Sequence, residues 1–527
     1  MAKTYDAVII GAGHNGLVTA CYLARAGMKV CVLEKRHVVG GCCVTEELWP
    51  GYRVSTVAYV NSLFRPEVIR DLNLTHYGFT TLPRNPSSFT PLPDGGYLML
   101  GPDPAFNRRQ ISKFSKKDAE ALDDYENLLD ALVRIIEPEL VQTPPDPFSG
   151  HPAHLWRLAK LAWRVKSLGK EWPLAWSFLT APAKRLLDWW FESDVLKATL
   201  ATDAIIGAFA SPAMPGTAYV LLHHVMGQTE GRRGVWCYIQ GGMGSITQGL
   251  AACARAHGAE VRCNAEVAAI RLKGDRVCGV ALADGTEINA SRVVSNADPH
   301  VTFEKLIDPS ALPGDFVTAL RRIDYSSASA KINLALKELP DFKALPGREP
   351  GPQHRGTIHI APSCRYIEEA FDEAKYGVPS SQPILECTIP TVLDPTLAPS
   401  GKHIMSIFVQ YAPYRLKEGS WDEIKEGFAD RCLEVLAQYA PNIPDAVIHR
   451  QVISPLDLER EYSLTGGNIF QGAMHVDQLY CFRPVPGYAD YRTPIRGLYL
   501  CGAATHPGGG VVGACGYNAA REILKRR

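Results

Sequence analysis

The sequence predicts an α/β fold of the Rossmann type joined to a separate domain of mixed strands and helices. Three stretches predict it. The first 41 residues read as strand, glycine turn, helix, strand and terminal acid. Trp236 to Val261 reads as a second strand-turn-helix unit packed near the first, and Gly497 to Ala520 as a buried strand, a glycine-rich turn and a helix. From His300 to about Tyr480, strands and helices alternate with many prolines, the pattern of another domain.

In chain order, Tyr5 to Ile10 is a short β-branched apolar run that enters Gly11-Ala12-Gly13-His14-Asn15-Gly16 directly. Gly11 permits the tight turn, Gly13 lets a pyrophosphate approach the backbone, and Gly16 lets the helix pack on the strand. The helix from Leu17 to Arg25 ends at Gly27, and a strand from Met28 to Leu33 leads to Glu34, placed to accept hydrogen bonds from a ribose diol. Lys35 and the pair Gly40-Gly41 follow, and this spacing of acid, basic residue and two glycines is that of FAD-binding flavoproteins. His14 and Asn15 in the turn, and Asn296 at the end of a later strand, join the cofactor candidates.

Composition excludes several classes. Lys plus Arg equals Asp plus Glu at 55 each among 527 residues, so no global charge favours nucleic acid. Fourteen cysteines lack C-x-x-C spacing, and adjacent Cys42-Cys43 suits packing better than a working dithiol. No apolar run has the length of a membrane span, and with the first strand beginning by Tyr5 no transit peptide is expected before it.

Asp118 to Leu140 has helical spacing. His154 to Trp172 follows as a helix with Leu155, Leu158, Ala162 and Val165 on one face, Trp156 and Trp163 on its flank, and a basic face of Arg157, Lys160 and Arg164. Such a helix suits either a membrane interface or, more simply, packing on its neighbours. Ala181 to Leu200 continues helical, with Trp189, Trp190 and Phe191 expected in a core. Trp236 to Val261 lacks the third glycine and the terminal acid, so it is read as structural rather than as a second dinucleotide site. Short strands over 260–264, 266–272, 277–283 and 286–288 form a meander, after which Arg292 to Asn296 returns as a strand. In the last stretch, the helix N-terminus behind His506 to Gly510 suits the electron-rich side of a reduced flavin. His506 is the catalytic candidate there; His223-His224 is a lesser one.

The runs at 11–18, 34–41 and His506 to Gly513 resemble the phytoene-desaturase-like FAD oxidoreductases, and 190–193, 196–204, 220–227 and 467–470 resemble an animal branch of that family. The resemblance implies a monoamine-oxidase-like topology: a Rossmann-type FAD-binding domain from 1–80, 236–299 and 490–527, and an inserted α+β substrate domain from 81–235 and 300–489 with a helical subregion at 118–230. It implies FAD at Gly11, Gly13, Gly16, Glu34, Lys35, Gly40 and Gly41, adenine near Val267, and flavin near Gly502, His506 and Gly513. The expected activity is hydride transfer from an apolar, isoprenoid or other lipid, substrate to FAD, with oxygen, a quinone or a protein as acceptor. A flavin-dependent isomerase and a weakly catalytic binding protein are the rivals. Animal members are described as mitochondrial and linked to respiration. The expected location here is the cytoplasm of a bacterium, or the mitochondrial matrix or inner-membrane surface of a eukaryotic cell. Peripheral membrane contact at the tryptophan helix is a further expectation.

Overall fold

The computed structural model of the chain describes residues 3–229 and 231–525. The strand Ala7–Ile10 is apolar and buried throughout, as a strand covered on both faces must be. Five parallel strands lie in the order Glu260–Arg262, Val30–Leu33, Ala7–Ile10, Val293–Ser295 and Leu498–Leu500. The order of strands reverses at Ala7–Ile10, which makes the crevice at the carboxyl ends of these strands a switch point, where doubly wound sheets bind ligands. Glu260–Arg262 does not open the meander, as its sequence suggests; it pairs in parallel with Cys31 to Leu33 at the sheet edge. The meander is Val267–Lys273, Arg276–Leu282 and Glu287–Ala290, closed by Thr4–Tyr5 into a four-stranded sheet.

Helix His14–Arg25 begins inside the glycine turn and packs between Gly244–Ala256 and Ala514–Leu524. Its close seat depends on Gly16, where a Cβ would come within 2.3 Å of the Gly11 carbonyl. The second strand-turn-helix stretch, Cys237–Ile239 and Gly244–Ala256, thus serves as packing for the first.

The second domain holds a seven-stranded mixed sheet in the order Val447–Ile453, Ser329–Leu336, His403–Gln410, Ile384–Thr388, Thr357–Ile360, Ser88–Pro91 and Tyr97–Leu100. Its outer face is covered by Trp421–Tyr439, which starts at a Ser420/Glu423 capping box and buries Trp421, Phe428 and Leu436. Each large side chain so buried contributes about 1.5–3 kcal/mol. Every residue of Ser329–Leu336 is buried, including Lys331 and Asn333.

A helical layer lies over the same domain: Lys116–Leu140, Pro152–Lys166, Trp172–Thr180, Ala183–Trp190, Asp194–Thr202 and Thr217–Val225. The segment read as one helix from His154 to Trp172 breaks after Lys166 and turns at Gly169, whose φ of +56° suits glycine. Pro152–Lys166 rests on Lys116–Leu140 through Arg164, which pairs with Glu139 at 2.7 Å, but it packs less closely than expected. None of Pro152–Lys166 is buried, and Trp156 and Trp163 are 65% and 73% exposed. Trp189 is also exposed, leaving Phe191 as the buried aromatic of its trio.

Candidate functional site

A chamber of about 780 Å³ opens at the carboxyl ends of the parallel strands and runs to the second-domain sheet. Its first wall is backbone. Gly11 turns with φ +89°, and Gly13 forms a parallel bridge with Gly40, whose N–H donates to the Ala12 carbonyl at 2.9 Å. A Cβ on Gly13 would stand 2.7 Å from the Asn296 amide, so glycine is required for anything to approach there. Glu34 is fixed from two sides: the Ala12 N–H donates to one carboxylate oxygen at 2.8 Å and the Arg36 N–H to the other at 3.0 Å. Each oxygen keeps a lone pair for a ribose hydroxyl.

Of the candidates from the sequence, Gly11, Gly13, His14, Asn15, Glu34, Lys35, Gly40, Gly41, Val267 and Asn296 all line this chamber. Gly16 sits behind it as the packing glycine. Gly502 and Gly513 flank it: a Cβ on Gly502 would meet the Asn296 carbonyl at 2.6 Å, and one on Gly513 the Phe64 ring at 2.8 Å, while Ala503, Gly510 and Val511 supply the lining. The last helix begins at Ala514, three residues later than its sequence suggests.

His506 is not among the lining residues, and its expected place at the flavin is corrected. Its Nε2 donates to the Glu139 carbonyl at 2.8 Å and its ring meets Tyr480 edge-on, so it ties the glycine turn to the end of Lys116–Leu140. Burial pushes its pKa down to about 4, which keeps it neutral. His223 and His224 are likewise buried against the backbone carbonyls of Gly509 and Asp203. Cys42 lines the chamber, but burial pushes its thiol up to about 12 and that of Cys43 higher still, which removes the dithiol reading.

The sequence reading missed the far wall. Lys331 reaches the chamber from Ser329–Leu336, with Nζ donating to Asn333 Oδ1 at 2.8 Å and to Ser406 Oγ, and lying 5.2 Å from the Tyr59 ring centre. Burial lowers its pKa to about 7. Tyr59 stacks on Phe408, with ring centres 5.9 Å apart, and donates its hydroxyl to Glu386 Oε2 at 3.1 Å. A lysine within the apolar run Ser329 to Leu336, and an acid within Ile384 to Thr388, were the available signals.

A second chamber of about 700 Å³ adjoins the first, and Tyr59 and Ile206 line both. Its inner end carries Arg84, Asp203, His359 and Glu386. Arg84 is held by the Trp236 carbonyl at 3.1 Å and Thr357 Oγ1 at 2.8 Å, over the ring of Tyr238. Burial raises Asp203 to about 7, with Arg84 opposing it; burial and the neighbouring Asp203 charge raise Glu386 to about 8.

Residues 216–524 match the model of the flavin containing amine oxidoreductases, and residues 9–72 that of NAD(P)-binding Rossmann-like domains. The chain is 47% identical to a rat protein called pyridine nucleotide-disulfide oxidoreductase domain-containing protein 2, over 99% of this chain and 93% of the other. It is 27% identical to a lycopene-forming phytoene desaturase of a Paracoccus species, over 98% and 95%. Putrescine oxidase, solved with putrescine bound, shares the fold at a TM-score of 0.60 and 17% identity, covering 99% of each chain. The glycine cradle, the tethered Glu34 and a chamber of ordinary ligand size fit FAD. With more than half its length matched, the chain belongs to the flavin containing amine oxidoreductase family and is an FAD-dependent oxidoreductase.

Proposed function

We propose that the chain oxidises a substrate with an apolar body, of isoprenoid or other lipid type, by moving a hydride from a substrate carbon to its flavin. The observation that supports this reading is the apolar lining where the cofactor chamber meets the second domain: Val57, Ala330, Phe408, Ile469 and Phe470. When bound, FAD supplies the hydride acceptor. The residues supply the rest. Glu34 and the Gly13–Gly40 bridge hold the nucleotide end, and the aromatic wall excludes water from the reacting end. Lys331, kept neutral by burial above about pH 7, is placed to take up a proton at Nζ while Asn333 and Ser406 fix its direction.

Electrons then pass to oxygen, a quinone or a protein. The test is an absorption spectrum of the purified protein, followed by anaerobic reduction with an isoprenoid substrate and readmission of air. FAD released on denaturation and bleaching of the flavin by substrate support the reading; a protein that stays colourless after reconstitution overturns it. Fast reoxidation in air would mark an oxidase, and slow reoxidation a dehydrogenase serving a quinone or protein.

Peripheral membrane contact is part of the proposal. Trp156, Trp163, Trp172 and Trp176 are more than half exposed beside Lys160, Arg164 and Lys170. No helix among the described residues is long and apolar enough to cross a membrane. A bacterial host would hold the protein at the cytoplasmic face, and a eukaryotic host in the matrix or at the inner-membrane surface, where a respiratory role would follow. Cell fractionation tests this.

A further inference from the structure

Away from both chambers, the end of Lys116–Leu140, the flank of Pro152–Lys166 and the last helix, Ala514–Leu524, enclose a pocket of about 210 Å³. Every side chain that lines it is polar or charged.

Three cations, Arg157, Arg521 and Lys525, face one acid there. That acid, Glu522, is already satisfied: Thr143 and Lys525 donate to one carboxylate oxygen, and Arg492 lies 3.5 Å from the other. The two arginines of the lining are not. Neither forms an ion pair among the described residues, and Arg157 reaches only Gln142 Oε1, at a weak 3.5 Å. Arg521 donates through Nη1 to the Val141 carbonyl at 3.2 Å and lies over the Tyr517 ring, with no other hydrogen bond from its guanidinium among the described residues.

A bare acceptor stands beside them. Asn518, 1% exposed, donates Nδ2 to the Leu140 carbonyl at 3.0 Å, which fixes the amide's orientation, and its Oδ1 has no partner among the described residues. Covering the last carbonyls of Lys116–Leu140 accounts for Asn518 Nδ2 and one N–H of Arg521, but not for Arg157 or for Asn518 Oδ1. A buried acceptor among unpaired cations calls for a ligand with negative charge and a hydroxyl donor.

The place of Arg157 on its helix narrows the ligand further. At about 3.6 residues per turn, Trp163, Trp156, Lys160, Arg164 and Arg157 follow one another around Pro152–Lys166. The exposed indoles thus grade through a basic flank into the pocket, the order of groups that a lipid meets from tail to head. The volume, below the roughly 300 Å³ at which whole-ligand pockets begin, suits a head alone.

We propose that this pocket binds the head of an anionic phosphodiester lipid of the phosphatidylglycerol type. Its phosphate oxygens take N–H groups from Arg157, Arg521 and Lys525, and a hydroxyl of the head donates to Asn518 Oδ1. The inference rests on the reading of the tryptophan face as a membrane contact, and adds a chemical preference to that contact. A choline head has no hydroxyl to donate and carries its own cation into a cationic pocket.

The test is calorimetry on the FAD-loaded protein with water-soluble dihexanoyl phosphatidylglycerol, set against dihexanoyl phosphatidylcholine, which has the same tails, and against inorganic phosphate. The glycerol lipid is expected to bind at one site, at least roughly tenfold more tightly than either. Arg157→Gln and Arg521→Gln are each expected to weaken it roughly ten- to a hundredfold, the range for hydrogen bonds to charged groups. Lys160→Gln, the same loss of charge on the same helix but outside the pocket, is expected to change it less than about twofold. Equal affinity for the two lipids, no binding of the glycerol lipid, inorganic phosphate binding as tightly, arginine variants that bind as the parent does, or an equal loss in Lys160→Gln overturns the proposal. Sedimentation of the same samples with phosphatidylglycerol vesicles separates the two readings. Vesicle binding unchanged in Arg157→Gln overturns the pocket and keeps the tryptophan face, whereas a parent protein that takes up the soluble lipid but binds no vesicle overturns the membrane reading alone.

Discussion

The two chambers meet at Tyr59 and Ile206 and are built on opposite plans. The first is shaped by backbone: glycines at 11, 13 and 40, strand ends, and one acid pinned by two N–H groups. The second is shaped by side chains, with Arg84, Asp203, His359 and Glu386 drawn from four distant segments. A backbone cradle suits a ligand that never changes, whereas side chains can be exchanged without disturbing a fold. The comparison teaches that the backbone cradle and the side-chain chamber are separable parts of this molecule.

The strongest way to break that division is to add a methyl group to the cradle. Gly16→Ala puts a Cβ within 2.3 Å of the Gly11 carbonyl, and neither backbone can yield easily. The expected result is loss of bound FAD together with about 1–3 kcal/mol of stability, read from absorbance and denaturant unfolding. Next, Glu34→Ala removes the ribose acceptor and strands the Ala12 and Arg36 N–H groups. FAD affinity should fall roughly ten- to a hundredfold in a fluorescence titration.

Titration sharpens the contrast. Lys331 carries a pKa near 7 when folded against an ordinary 10.5, so between those values the unfolded chain holds a proton that the folded one lacks. Stability from this group therefore rises with pH above about 7. Glu386 is the reverse: at about 8 against 4.5, the folded state holds the extra proton, and stability falls as pH climbs between those values. Lys331→Met should flatten the first limb and Glu386→Gln the second, each by up to about 1.4 kcal/mol per pH unit in unfolding series. The smallest expected effect on folding is outside both chambers. Replacing Trp156 and Trp163 by Ala should change stability by less than about 0.5 kcal/mol each while abolishing sedimentation with anionic vesicles.

How far each region can be read from the sequence follows from the same difference. The turn and acid of the cradle lie within Gly11 to Gly41, where spacing alone reports a local backbone geometry. Lys331, Tyr59 and Glu386 belong to separate strands and loops that meet only when the sheet assembles, so no window of sequence contains their relation. His506 misled because a glycine-rich turn near a helix N-terminus resembles a ligand loop whether its histidine faces in or out. Here the Glu139 carbonyl, 367 residues away, decides the direction. The tryptophan helix is divided: Leu158 and Val165 are half-buried and Arg164 pairs with Glu139 at 2.7 Å, while Trp156 and Trp163 on its flank stay exposed, a split that no helical wheel decides.

The order of strands in the parallel sheet also bears on how the protein is made. Its fifth strand, Leu498–Leu500, and the Gly510 and Val511 lining are made long after the first glycine turn. At a ribosomal pace of about 5–20 residues per second, roughly half a minute to two minutes separate the first glycine turn from a finished cradle. For the first half of that interval and a little beyond, Ala7–Ile10 has Val30–Leu33 on one edge and no Val293–Ser295 on the other. A complete flavin cradle thus waits for that late segment, and a nascent chain depends on whatever shields the open edge of Ala7–Ile10 until Val293–Ser295 is translated.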